Sequence, residues 1–212
     1  MVNFPGSRAR DVAFDLIRWL NQASGRSLFA LSGGLAFDVH GIRLARPLGD
    51  IDIAAIERVH SGAWLRQMLA EAGCENLPPA RSFAEALRKG CVKFVKDSID
   101  FEILDQHRRA AKASPQQAAA ARDLLARCRE NLRIINDTPV LDIDAIVAWK
   151  AILDRDKDRA DIRELATKTR PDGSPAIQNR EAVMKLVIDN RGKHAPATEF
   201  LDRVMWDQWY RY

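Results

Sequence analysis

The sequence predicts an α+β fold, a small mixed β-sheet flanked by helices and followed by a mainly helical C-terminal half. Three observations point there. Strand-like alternation is confined to the stretch before residue 106, in "SLFALS", "DIDIAAI" and "CVKFVKDSIDFEIL". Helical periodicity dominates after residue 110. Of the 212 residues, 47% are hydrophobic and 29% charged, which allows a packed core.

In chain order, residues 8–22 read as an amphipathic helix with Val12, Ala13, Leu16 and Leu20 on one face. "SGR" at 24–26 ends it. A short strand at 27–32 runs into Gly33-Gly34, and "LAFDVHG" reads as about two helical turns closed by Gly41. After the turn-forming "RPLG", the strand "DIDIAAI" places Asp50 and Asp52 on one face and Ile51 and Ile53 on the other. A helix at 61–73 stops at Gly73. "ENLPPARSFAEALRKG" gives no clear signal. Residues 91–96 and 99–104 read as a hairpin joined by Asp97-Ser98, with Asp100 and Glu102 sharing one face of its second strand.

The remainder is helical. Ser114 and Pro115 open one helix as N-cap and first residue. "LRIIN" offers a short strand. "LDIDAIVAWKAILDRDKDRADIRELATKT" reads as one long helix, followed by another up to Gly192 and a C-terminal one ending in the aromatic-rich "MWDQWYRY". A boundary near residue 110 divides a 1–110 core from a helical 111–212 domain.

The bulk chemistry narrows the function classes. A net charge of +4 is mildly basic, with Arg and Lys interspersed among Asp and Glu. That suits an RNA or nucleotide partner without demanding one. Cys74, Cys91 and Cys128 have no metal-ligand spacing and read as reduced thiols of a cytoplasmic protein. No apolar run approaches bilayer length, so no membrane role is expected.

The chemistry concentrates in "LSGGLAFDVHGIRLARPLGDIDI" and the later "SIDFEILD". Asp50 and Asp52 on one strand, with Asp100 on a neighbouring one, would crowd three carboxylates onto one sheet surface. Like charges there repel, and a divalent cation with a preference for hard oxygen ligands resolves the conflict. Taken alone, the Asp50/Asp52 pair equally fits a solvent-facing strand. Ser32-Gly33-Gly34, at a strand-to-helix junction, offers backbone N–H groups to a phosphate.

This stretch resembles the signature of the DNA polymerase β-like nucleotidyltransferase superfamily. The signature has a glycine turn, a short helix, a strand carrying DxD, and a third acid on a later strand. The spacing is closest to small bacterial types, the lincosamide and aminoglycoside nucleotidyltransferases and the AbiEii-like toxins. The resemblance covers about 27–104 and, more loosely, the helix around 148–162. It implies a nucleotidyltransferase core in which Asp50, Asp52 and Asp100 are the catalytic, metal-binding acids, with Glu102 as the alternative third acid. It also places Ser32, Gly33 and Gly34 near the triphosphate. The implied cofactor is Mg²⁺ or Mn²⁺, with an NTP as donor, NMP transferred to a hydroxyl and pyrophosphate released. ATP is one such donor. RNA or protein is the favoured acceptor, and a toxin–antitoxin setting with an antitoxin partner is compatible. A catalytically idle nucleotide-binding or interaction protein of the same fold is the alternative.

Three basic residues complete the expectation. Arg43 and Arg46 precede the DxD strand, where contact with a triphosphate or an acceptor and plain solvation as loop arginines are the alternatives, and Arg46 is taken as the nucleotide-binding candidate. Lys150 falls near the middle of the apolar face of its helix, where an ammonium needs an anion. A triphosphate and the nearby Asp154, Asp158 and Asp161 are the candidates. The "DRDKDRADI" run reads as an ion-pair network fixing its helix to its neighbours. His40 reads as a helix cap.

Overall fold

The computed structural model describes residues 6–59, 61–105 and 115–209. Helix α1 (Gly6–Ser24) buries Ala13, Leu16, Ile17 and Leu20 at helical spacing and packs them towards strand β1 (Phe29–Leu31). Asn21 closes the α1–β1 corner, its amide oxygen accepting from the backbone of Leu28 and Phe29 at 2.8 Å each.

β1 runs directly into α2 (Gly33–Val39), and a long loop then leads to β2 (Ile51–Ala55). Helix α3 (Gly62–Glu71) starts at Ser61, whose hydroxyl accepts from Trp64 N. The stretch without a clear sequence signal contains α4 (Ala80–Lys89). Phe83 and Leu87, one turn apart, are its buried residues, and Gly90 ends it in a left-handed conformation.

β3 (Cys91–Lys96) and β4 (Ile99–Asp105) form the expected hairpin. Asp97 and Ser98 both adopt positive φ, the geometry of a two-residue turn that matches strand twist. After α5 (Pro115–Glu130), β5 (Arg133–Ile135) and β6 (Thr138–Val140) make a second tight hairpin through Asn136-Asp137, again with positive φ. β5 lies in the "LRIIN" stretch. β6 is an addition, three buried residues too short to show alternation.

Among the described residues, six strands form one mixed sheet in the order β3-β4-β2-β1-β6-β5. β4–β2 and β1–β6 are parallel, the other three pairs antiparallel. The sheet therefore takes two of its strands from beyond residue 110, while the boundary expected near that residue falls outside the described residues.

The long helix expected over 141–169 is two. α6 (Ile143–Leu153) ends at Asp154, which is left-handed at φ 55°, and Arg155 is extended before α7 (Asp156–Leu165) begins. Both oxygens of Asp154 accept from Arg159, at 2.7 and 2.9 Å, which holds the break. α8 (Arg180–Arg191) begins at the Asn179 cap, after a loop closed by a Thr169–Pro175 bridge, and α9 (Pro196–Trp209) follows. The architecture is α+β, with helices making up most of the C-terminal half. Among the described residues, no helix is long and apolar enough to cross a membrane. The Ser114 cap and the side chains of the aromatic tail beyond Met205 lie outside the described residues.

Candidate active site

The site forms where the start of β2 meets β1 on one side and β4 on the other. Alternation along β2 turns Ile51 and Ile53 into the core and leaves Asp52 half-buried on the opposite face, with Asp50 just before it. The parallel register sets Asp52 directly beside Glu102. Carboxylate oxygens of Asp50, Asp52 and Glu102 all lie within 4.8 Å of one another.

Glu102 therefore stands where Asp100 was expected. Period two puts both acids on the same face of β4, but the register pairs Ile51 with Phe101, so Glu102 is the one opposite Asp52. Asp100 is exposed and lines an adjoining groove of about 410 Å³ with Asp50, Asn76 and Lys93. The Cys91 thiol, also partly buried, donates to Glu102 Oε1 and fixes that side chain on the cluster side of its strand.

Burial and crowding act together on Asp52. The Asp52 carboxyl is pushed up to about 6 by burial first, then by the charges of Asp50 and Glu102. Lys150 and Lys157 offset this only in part.

Gly33 brings the glycine turn onto the same point. Its φ is +65°, and a Cβ there would stand 1.9 Å from Asp52 Oδ2. Only glycine satisfies both the backbone and the contact. Ser32 N donates to Asp52 O at 2.9 Å, tying the turn to the DxD strand, and the buried Ser32 makes no side-chain cap bond to α2. Gly34 is close-packed for a different reason, since a Cβ would meet the Leu48 side chain at 2.6 Å, with Arg46 Nη2 at 3.8 Å. The glycines and the DxD pair thus converge.

The basic residues divide. Arg43 is exposed, 3.5 Å from Asp38. Arg46 grips Asp161 on α7 through Nε at 2.6 Å and Nη2 at 2.8 Å. Lys150 is buried as its position on the wheel requires. Its Nζ donates to Asp158 at 3.1 Å and Asp161 at 2.7 Å, and lies 5.9 Å from the Phe37 ring centroid. Asp154, a third candidate partner, is taken by Arg159 instead, because the helix break at Asp154 swings α7 back beneath Lys150. The "DRDKDRADI" run is the ion-pair network it reads as. His40 sits at the α2 C-cap, but its Nε2 bonds to Leu141 O at 2.9 Å, joining α2 to the end of β6. Burial lowers its pKa, with the Leu141 bond opposing that shift.

No family model matches the chain, and no curated protein matches it. Among solved structures, the chain is similar to a crystal structure from H. pylori provisionally named a nucleotidyltransferase. The TM-score is 0.44 and the identity 13%, over 96% of this chain and 94% of that one.

Proposed function

We propose that the chain is a divalent-metal-dependent nucleotidyltransferase. The observation that carries this reading is the convergence of Asp50, Asp52 and Glu102 within 4.8 Å, packed against the Gly33 turn. The donor set fits a hard cation. It consists of carboxylate oxygens alone, and Asp52, whose carboxyl is raised by burial and then by the charges of Asp50 and Glu102, is a group whose ionised form a cation would stabilise. When bound, Mg²⁺ or Mn²⁺ supplies charge neutralisation for the phosphates and for the transition state.

The chain's own residues do the rest. Asp50, Asp52 and Glu102 would hold the cation. Ser32, Gly33 and Gly34 border the space for the phosphates, where backbone can approach closely. A carboxylate of the cluster accepts the proton of the acceptor hydroxyl. The oxygen–α-phosphorus bond forms as the bond to the β-phosphate oxygen breaks, and pyrophosphate leaves. RNA or protein is the proposed acceptor class, consistent with the mildly basic balance of the chain.

The test is a screen of the four labelled NTPs, with Mg²⁺ or Mn²⁺, against total cellular RNA and lysate protein. Transfer of label by the wild type, abolished in the Asp50→Asn/Asp52→Asn double variant, is the expected result. Transfer that survives the double variant would place the chemistry elsewhere.

A further inference from the structure

Glu102 has two polar neighbours on the adjoining strand, and it takes the one that charge alone would not choose. In the antiparallel register of β3 and β4, Lys93 stands directly opposite Glu102, and Cys91 stands opposite Leu104. Period two puts Cys91, Lys93 and Glu102 on the same face of the hairpin. A lysine straight across from a glutamate is the ordinary cross-strand ion pair. It does not form here, and among the described residues Lys93 makes no ion pair or hydrogen bond. Glu102 Oε1 instead accepts from the Cys91 thiol, along the diagonal.

The choice matters chemically. An ammonium would cancel the charge of the carboxylate and draw it away from Asp50 and Asp52. A thiol is a weak, neutral donor. It fixes the orientation of Glu102 and leaves its negative charge for a cation.

The other two cysteines have a different setting. Cys74 and Cys128 are 8% and 1% exposed and pack in the core as small apolar groups. Burial pushes both of their thiols up to about 12. Cys91 is only partly buried and opens β3 straight after the left-handed Gly90. Asp105 N donates to Gly90 O at 3.0 Å, which pins the start of β3 to the end of β4. The thiol and the carboxylate therefore meet on a fixed frame.

A carboxylate engaged at one oxygen is disposed to give an ion the other. One-oxygen ligation suits Mg²⁺, which needs near-octahedral geometry at about 2.0–2.1 Å and keeps several waters. Ca²⁺ sits at about 2.3–2.6 Å, takes both oxygens of a carboxylate readily and tolerates a looser ligand.

We infer that Cys91 is a positioning residue for the metal centre. Its S–H holds Glu102 by Oε1 so that the carboxylate meets the cation through one oxygen, which selects Mg²⁺ and Mn²⁺ over Ca²⁺. This inference rests on the metal-dependent reading above and deepens it, by naming a residue that sets which ion the cluster takes.

The experiment is uptake of Mn²⁺ by the full chain, followed as loss of the free-ion paramagnetic resonance signal, with Mg²⁺ and then Ca²⁺ as competitors. Wild type, Cys91→Ala, Cys91→Ser and the core control Cys74→Ala are compared, and each is also melted without metal. Cys91→Ala should weaken Mn²⁺ and Mg²⁺ about tenfold, the low end for loss of a group that orients a metal ligand. Ca²⁺ should weaken less, so the preference for Mg²⁺ over Ca²⁺ narrows. Cys91→Ser presents an O–H from the same Cβ and should restore most of the affinity and the ion ranking. Cys74→Ala should lower the melting temperature and bind all three ions as wild type does. Cys91→Ala that keeps wild-type affinity and ion ranking, while folded, overturns the positioning role. An equal loss for all three ions that serine does not restore also overturns it, because a thiol that only packs would behave that way. Either result leaves the metal-dependent reading standing. A wild type that takes up no Mn²⁺, or whose uptake is unchanged in Asp50→Asn/Asp52→Asn, overturns that reading and the positioning role with it.

Discussion

Lys150→Met is the substitution whose outcome separates a structural ammonium from a substrate-binding one. Methionine keeps the stem in the apolar face of α6 and removes the charge. In the structure that charge answers two carboxylates buried to 0% and 1% exposure. Removing one partner of a buried pair costs about 3–5 kcal/mol. Each aspartate retains an arginine here, Arg155 on Asp158 and Arg46 on Asp161, so the low end applies, about 3 kcal/mol. At roughly 2–4 °C per kcal/mol for a chain of this size, the metal-free melting temperature should fall by about 6–12 °C. Urea unfolding should show a lower midpoint with an unchanged slope. The double variant Lys150→Met/Asp158→Asn should recover part of the loss, because it removes one of the two carboxylates left short of a cation. A melting temperature within 2 °C of wild type would refute the reasoning, since a buried ammonium between two buried carboxylates cannot be deleted at so little cost.

The pH dependence follows from Asp52. Its folded pKa of about 6 lies above that of an unfolded aspartate, so metal-free stability should be greatest below about pH 4 as far as this group is concerned and should decline as pH rises through 6. Melting curves between pH 4 and 8 should show that decline, and excess Mg²⁺ should abolish it; equal slopes with and without Mg²⁺ would contradict the site. Glu102→Gln should reduce the Mg²⁺-induced rise in melting temperature, while Asp100→Asn should leave it intact, and the opposite ranking would restore Asp100 as third ligand. Gly33→Ala should lower stability by more than about 1 kcal/mol, read by urea unfolding, because strained φ and the contact with Asp52 add together.

The half of the site that depends on local alternation was legible in the sequence. Asp50 and Asp52 fall on one face because Ile51 and Ile53 demand the other. The third acid was not resolved, because Asp100 and Glu102 satisfy the same period and only the register between β2 and β4 chooses between them. That register is a contact across about fifty positions of chain, invisible to any local pattern. Lys150 betrayed itself by its place on an apolar face, yet its partners required knowing that the helix breaks at Asp154. Aspartate tolerates the left-handed conformation without announcing it, and "AILDRDKDRADI" keeps helix-forming composition throughout. α4 hid behind Pro78-Pro79, although Phe83, Leu87 and Gly90 carry its signal. β6 was too short to alternate.

The bond between Arg46 and Asp161 spans 115 positions of the chain, and Ala45 N reaches Glu164 over 119. Protein synthesis runs from one end, so the carboxylate strands leave the ribosome well before the residues that steady the loop leading into them. β1 likewise waits for β6, more than a hundred residues later, to cover its second edge. A nascent chain halted at residue 130 would hold the acids and the glycine turn but neither Lys150 nor Asp161. Protease digestion of such stalled chains should cut the 41–49 loop freely and spare it once residue 165 has emerged. The loop that leads into the acidic cluster is thus steadied late, when residues 161–164 fold back onto the beginning of the chain.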